Sequence, residues 1–158
     1  MHKLDYLEKG IPVIEEKIGY SFKKKSLLAL AFIHRSFTNE NRFIKTGHNE
    51  RLEFLGDAIL GLVVSDFLYS HLPDKPEGEL SYLRSRLVEA PACADYLEHL
   101  QVGNFLLMGK GEAMNKGKGR SSVLSDLFEA IVGALYLDGG IEVVKTFFSN
   151  HFISKMLS

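Results

Sequence analysis

The chain has 158 residues, 46% of them hydrophobic and 25% charged, and its 19 Lys+Arg against 20 Asp+Glu give a net charge of −1. This composition excludes disordered, collagen-like and coiled-coil architectures and fits one globular domain spanning 1–158. Without a global basic excess, any nucleic-acid surface must be local, and the single cysteine, Cys93, excludes a disulfide framework and a cysteine-built zinc site.

The predicted elements are helical throughout. Leu4, Leu7, Ile11, Ile14 and Ile18 recur every three or four residues, which predicts a first amphipathic helix, bent or interrupted near Pro12 and capped by Gly19. Ser26 is placed to cap a second helix over Leu27–Arg35. The longest helix is expected from about Asn49 to His71, stopped by Pro73. Further helices are expected over Glu79–Val88, Ala92–Leu100, Ser122–Leu137 and Ile141–Leu157. Strand-like alternation is absent, so the expected fold class is all-α. Lys110–Arg120 carries Lys110, Lys116, Lys118 and Arg120 against Glu112 alone, together with Gly111, Gly117 and Gly119, and reads as a mobile basic loop. The longest stretch free of Asp, Glu, Lys and Arg, His99–Gly109, has 11 residues, far short of a membrane span. The N-terminus leads into mixed charge rather than an apolar signal core, so a soluble cytoplasmic protein is expected.

Acidic residues stand where the pattern is otherwise apolar. Glu50, Glu53 and Asp57 are spaced three and four apart and share one face of the long helix, which continues as Ala58–Val64 without a charge. Asp126 and Glu129 sit three apart in the apolar run Ser125–Leu135. Two readings fit this spacing: solvated acidic faces, or carboxylates that converge when the two helices pack. Burying carboxylates is unfavourable unless they are paired or bind a metal, and neither helix supplies cations beside them. Mutual repulsion in a converged cluster would raise some pKa values. Carboxylate-only ligation selects a hard divalent ion such as Mg²⁺ or Mn²⁺. Gly61 and Gly133 each follow an acid by four residues, and a glycine inside a helix is unfavourable by about 1 kcal/mol relative to Ala. They are therefore expected where the two helices approach closely.

The segment Asn49-Glu50-Arg51-Leu52-Glu53-Phe54-Leu55-Gly56-Asp57 closely resembles the signature of the ribonuclease III endonuclease domain. His34-Arg35-Ser36, Glu77-Gly78-Glu79-Leu80-Ser81 and Ser125-Asp126-Leu127-Phe128-Glu129-Ala130 agree in order, so the resemblance runs from about Leu7 to Phe152. It implies an α-helical domain acting as a symmetric homodimer that cleaves double-stranded RNA with Mg²⁺, Mn²⁺ substituting, to 5′-phosphate and 3′-hydroxyl ends. It also implies a role in ribosomal and messenger RNA processing. By position, Glu53, Asp57, Asp126 and Glu129 match the metal-binding carboxylates, with Asp57 and Glu129 the pair usually named as catalytic. Glu50 and Glu77 match acidic cleft positions, and Phe54 matches an aromatic that inserts into the partner subunit. Family members usually continue into a double-stranded RNA-binding domain, for which no counterpart is read here. Lys116, Lys118 and Arg120 are then the expected phosphate contacts, the alternative being a merely solvated loop. The other function class consistent with this pattern is a catalytically silent RNA-binding or dimerisation module.

Other signals carry less. Gly111–Gly119 lacks P-loop spacing, with Glu112 at the first glycine position and Gly119 at the hydroxyl position. The six histidines show no three- or four-residue pairing, and His34 is expected to be structural. Cys93 reads as a small core residue, and Phe147, Phe148 and Phe152 read as a packing or dimer face.

Overall fold

A computed structural model of the chain describes residues 3–114 and 119–157. Among them run ten α-helices: α1 (Lys3–Ile18), α2 (Lys25–Ala31), α3 (Arg35–Glu40), α4 (Glu50–His71), α5 (Glu77–Val88), α6 (Ala90–Leu100), α7 (Lys110–Met114), α8 (Arg120–Gly139), α9 (Ile141–His151) and α10 (Ile153–Leu157). The only pairing of β type among the described residues is one isolated parallel bridge, Ile33 with Leu107. The all-α expectation holds.

Helix α8 is the axis of the molecule. Every residue from Val123 to Leu135 except Asp126 is buried, which is the signature of a helix packed on all sides. Helix α4 lies along one flank of α8, α6 along another, and α2 and α9 complete the wrap. Helix α9 brings Phe147 and Phe148, and Phe152 follows it. These three rings cluster with Tyr96 and Phe128, with centroid separations from 4.8 Å (Tyr96–Phe152) to 6.3 Å (Tyr96–Phe148). They form core rather than a dimer face, and Cys93 is buried with them.

The α4–α8 crossing is made of backbone. A methyl group on Gly56 would run into the Glu129 carbonyl, and one on Gly133 would run into the Leu52 carbonyl. The two glycines face each other across the contact. The expectation for Gly133 is met, but that for Gly61 is not: a side chain there would meet open space. The crossing falls one residue before Asp57, at Gly56, rather than four residues after it.

Several boundaries differ from the sequence reading for local reasons. Helix α1 runs unbroken through Pro12, which lies on the exposed face one turn after the exposed Glu8, whose carbonyl loses the amide partner that proline lacks. Gly19 does end that helix, with φ +84°. Helix α2 begins at Lys25 and stops at Ala31, because the next residues extend to pair with Leu107: the Leu107 amide donates to the Phe32 carbonyl at 2.8 Å and the His34 amide to the Leu107 carbonyl at 2.9 Å. A separate α3 follows. The expected last helix is two, α9 and α10, divided at the fully buried Phe152.

The start of the basic segment is helical rather than loop. Helix α7 is docked on α3, where the Ser36 hydroxyl accepts the Gly109 amide at 2.9 Å and the Glu40 carboxylate accepts the amides of Lys110 and Gly111 at 2.8 and 3.2 Å.

Candidate active site

The glycine crossing determines what meets on its rim. Gly56 lies between Glu53 and Asp57 on α4, and Gly133 lies one turn beyond Glu129 on α8. With the helix backbones in contact, acids one turn before each glycine come together. Glu53, Asp126 and Glu129 each present a carboxylate oxygen, all within 4.8 Å of one another. Asp57 is hydrogen-bonded to Glu129. Three of the four carboxylates expected to converge, Glu53, Asp126 and Glu129, do so, and the fourth, Asp57, acts on Glu129.

Their electrostatics follow from crowding. Burial, then the hydrogen bond to Asp57 and the charges of Asp57, Glu53 and Asp126, pushes Glu129 up to about 9. Burial, then the charge and hydrogen bond of Asp126, pushes Glu53 up to about 7. Burial also raises Asp126, offset in part by its hydrogen bond with Glu53 and by the nearby His34 ring. No Lys or Arg among the described residues forms an ion pair with any of the four; the nearby Arg35 is paired with Glu50 at 3.7 Å. Crowded oxygen donors that hold protons for want of a cation fit a hard divalent ion, which would replace those protons.

The remaining expected residues are placed as follows. Glu50, the first residue of α4, is exposed, and its charge acts on Glu53 and Asp126. Glu77 is exposed in the first turn of α5 and stands outside the converged group. Phe54 is 83% exposed on α4. Arg120 is exposed at the first residue of α8, six residues and therefore about 9 Å of helix from Asp126. Lys116 and Lys118 lie outside the described residues.

Two groups beside the site were given no part in it by the sequence reading. Asn49 is 2% exposed; its side-chain amide donates to the Ala31 carbonyl at 3.0 Å and its backbone amide to the Ile33 carbonyl at 2.9 Å. It pins the head of α4 to the end of α2 and so aims Glu50 and Glu53. The available signal was its place as first residue of the nine-residue motif, before an apolar helix. Cys93 lies beneath the cluster, its thiol pushed up to about 12 by burial and then by the Glu129 charge.

A helical fold whose two longest helices cross on glycines and bring three acids together, with a fourth beside them, defines a class. The chain belongs to the Ribonuclease-III-like family, whose model matches residues 24–156. It is 57% identical over 152 residues to Ribonuclease 3 of Protochlamydia amoebophila, covering 96% of this chain and 62% of that protein. It is 47% identical over 141 residues to Ribonuclease 3 of Streptococcus gordonii, covering 89% of this chain and 61% of that one. The chain thus spans about three-fifths of the length of these curated relatives. Among solved structures it superposes on the nuclease domain of ribonuclease III from Campylobacter jejuni with a TM-score of 0.82 and 41% identity, covering 93% of this chain and 96% of that one. A second structure of that domain, described for structural flexibility in the region involved in dimer formation, gives a TM-score of 0.78 at 42% identity, covering 88% of this chain and 96% of that one.

Proposed function

We propose that residues 1–158 form the nuclease domain of a ribonuclease III: a Mg²⁺-dependent endonuclease that hydrolyses double-stranded RNA to 5′-phosphate and 3′-hydroxyl ends. The observation that carries this reading is the meeting of Glu53, Asp126 and Glu129 within 4.8 Å, with Asp57 acting on Glu129 and no Lys or Arg among the described residues in an ion pair with them. A silent RNA-binding module would have no use for so unfavourable a cluster.

In this reading Glu53, Asp57, Asp126 and Glu129 hold the ion. When bound, Mg²⁺ or Mn²⁺ supplies Lewis-acid stabilisation of the charge that builds on the phosphodiester and on its leaving oxygen. The protein's part is to keep four acids fixed on two helices that cannot slide apart, and to give up their protons as the ion enters. The attacking nucleophile is water. The single thiol, Cys93, is buried and holds its proton too firmly to serve.

Two further parts belong to this proposal. The exposed apolar residues of α4 (Phe54 83%, Leu62 53%, Tyr69 77%) fall at helical spacing, and Tyr82 of α5 is also exposed. That face fits a second copy of the chain, giving a homodimer. Arg120, with Lys116 and Lys118, supplies phosphate contacts, and Glu50 and Glu77 border the cleft. The action is assigned to ribosomal and messenger RNA processing in the cytoplasm; no helix among the described residues is long and apolar enough to cross a membrane.

The test is a long RNA duplex incubated with the protein in Mg²⁺ and in excess EDTA. Cleavage to 5′-phosphorylated ends in Mg²⁺ and none in EDTA is expected. Cutting that persists undiminished in EDTA overturns the proposal.

A further inference from the structure

Beside the carboxylates lies an imidazole that this reading leaves without a task. His34 is half-buried, immediately before α3. Its backbone is fixed on both sides: its own amide donates to the Leu107 carbonyl, and the adjacent Ile33 carbonyl accepts the Asn49 amide at the head of α4, each at 2.9 Å. The ring is fixed as well. Nδ1 accepts the Ser36 backbone N–H at 3.1 Å, which caps α3. A backbone amide can only donate, so Nδ1 carries no proton. The Ser36 hydroxyl lies 2.7 Å from the same nitrogen and is itself held by the Gly109 amide, which it accepts at 2.9 Å.

With the Ser36 amide donating to Nδ1, the proton of the imidazole resides on Nε2. Nε2 has no hydrogen-bond partner among the described residues and is not a buried unsatisfied atom. The ring interacts electrostatically with Asp126, so it borders the acidic cluster. Neither nitrogen is free to ligate a metal: Nδ1 has its lone pair engaged and Nε2 holds a hydrogen. What the ring offers the cleft is one donor of fixed direction.

We propose that His34 is a substrate-contacting residue of the nuclease site, its Nε2–H donating to a non-bridging phosphate oxygen of the RNA strand being cut. This rests on the reading of the carboxylate cluster as the hydrolytic site. Once their protons are given up, the four acids are acceptors only and repel phosphate unless a cation lies between. A donor of fixed direction at their edge adds attraction for the anion without competing for the ion. Because Ser36 and the chain pairing to Leu107 already hold the ring, little side-chain freedom is lost when the bond forms.

Two substitutions separate this role from simple helix capping. His34→Asn keeps an oxygen able to accept the Ser36 amide, and Asn is a preferred cap, but it falls short of the Nε2 position. His34→Gln carries an amide N–H out to that position and gives up the cap. Single-turnover cleavage of an RNA duplex in Mg²⁺ is expected to fall roughly 10- to 150-fold in the Asn variant, the range for losing a hydrogen bond to a charged partner. The Asn variant should unfold at the unaltered protein's midpoint, and the Gln variant should recover rate despite a lower midpoint. Independently of activity, ¹⁵N spectra of the metal-free protein should show the His34 ring, assigned by its loss in the Asn variant, with the hydrogen on Nε2. Full-rate cleavage by the Asn variant, or a hydrogen on Nδ1, overturns the assignment while leaving the hydrolytic site intact. Absence of cleavage by the unaltered protein removes both readings together.

Discussion

Replacing Glu129 with Gln should stabilise the metal-free protein while ending its catalysis. Glu129 is 9% exposed and binds its proton up to about pH 9, against an ordinary value of 4.5. Below pH 4.5 the carboxyl is protonated in both the folded and unfolded chain and contributes no pH dependence. As pH rises, the unfolded chain ionises first, so the folded state binds more protons and its stability falls. The loss grows until the folded group also ionises. At pH 7 the interval is about 2.5 pH units, or up to about 3 kcal/mol at 1.36 kcal/mol per unit. Gln preserves the neutral hydrogen-bonding shape and gains nothing from ionisation on unfolding. For a chain of this size 1 kcal/mol moves the melting temperature by roughly 2–4 °C. The variant should therefore melt up to roughly 6–12 °C higher at pH 7 in EDTA, with the gap closing at pH 4.5. Circular-dichroism melts over pH 4.5–8.5 measure this. Added Mg²⁺ should raise the midpoint of the unaltered protein more than that of the variant, and duplex cleavage by the variant should be abolished. A gap independent of pH, or a variant less stable at pH 8, would refute the argument that crowding and burial hold that proton.

Gly56→Ala and Gly133→Ala should each destabilise the fold by about 3 kcal/mol or more through overpacking of backbone on backbone, whereas Gly61→Ala should be neutral or stabilising by up to about 1 kcal/mol; chemical denaturation compares the three. Asn49→Ala leaves the buried Ala31 carbonyl without its donor and should lower stability by about 1–3 kcal/mol while reducing cleavage, measured by melts and initial rates. Phe54→Ala removes an 83% exposed ring that makes little contribution within one chain, so monomer stability should hold while sedimentation equilibrium shows weaker self-association.

Much of the site was legible in the sequence because its chemistry is unusual for its setting. Four acids inside apolar periodic runs are conspicuous, and the periodicity itself places Glu53 with Asp57, and Asp126 with Glu129. Which glycines make the crossing was less legible. Gly56 and Gly61 both lie on α4, and only the register of α4 against α8 distinguishes them. The stop of α2 at Ala31 was hidden for a similar reason. Leu27–Arg35 has helical composition, and its last residues are drawn out by Leu107, far away in the chain. Pro12 misled because proline's effect depends on which way the helix face points, and that face is solvent. The division at Phe152 escaped because the same apolar spacing suits one helix or two. Asn49 and Ser36 look ordinary as letters; their importance lies in carbonyls and amides that only folding brings to them.

The contact between Gly56 and Gly133 ties ion affinity to core integrity. Because opposing donors ride on two backbones already touching, their spacing has no slack to be taken up by rotamer changes alone. A core substitution that spreads α4 from α8 by a few tenths of an ångström should thus announce itself first as a higher Mg²⁺ requirement, well before the chain begins to melt.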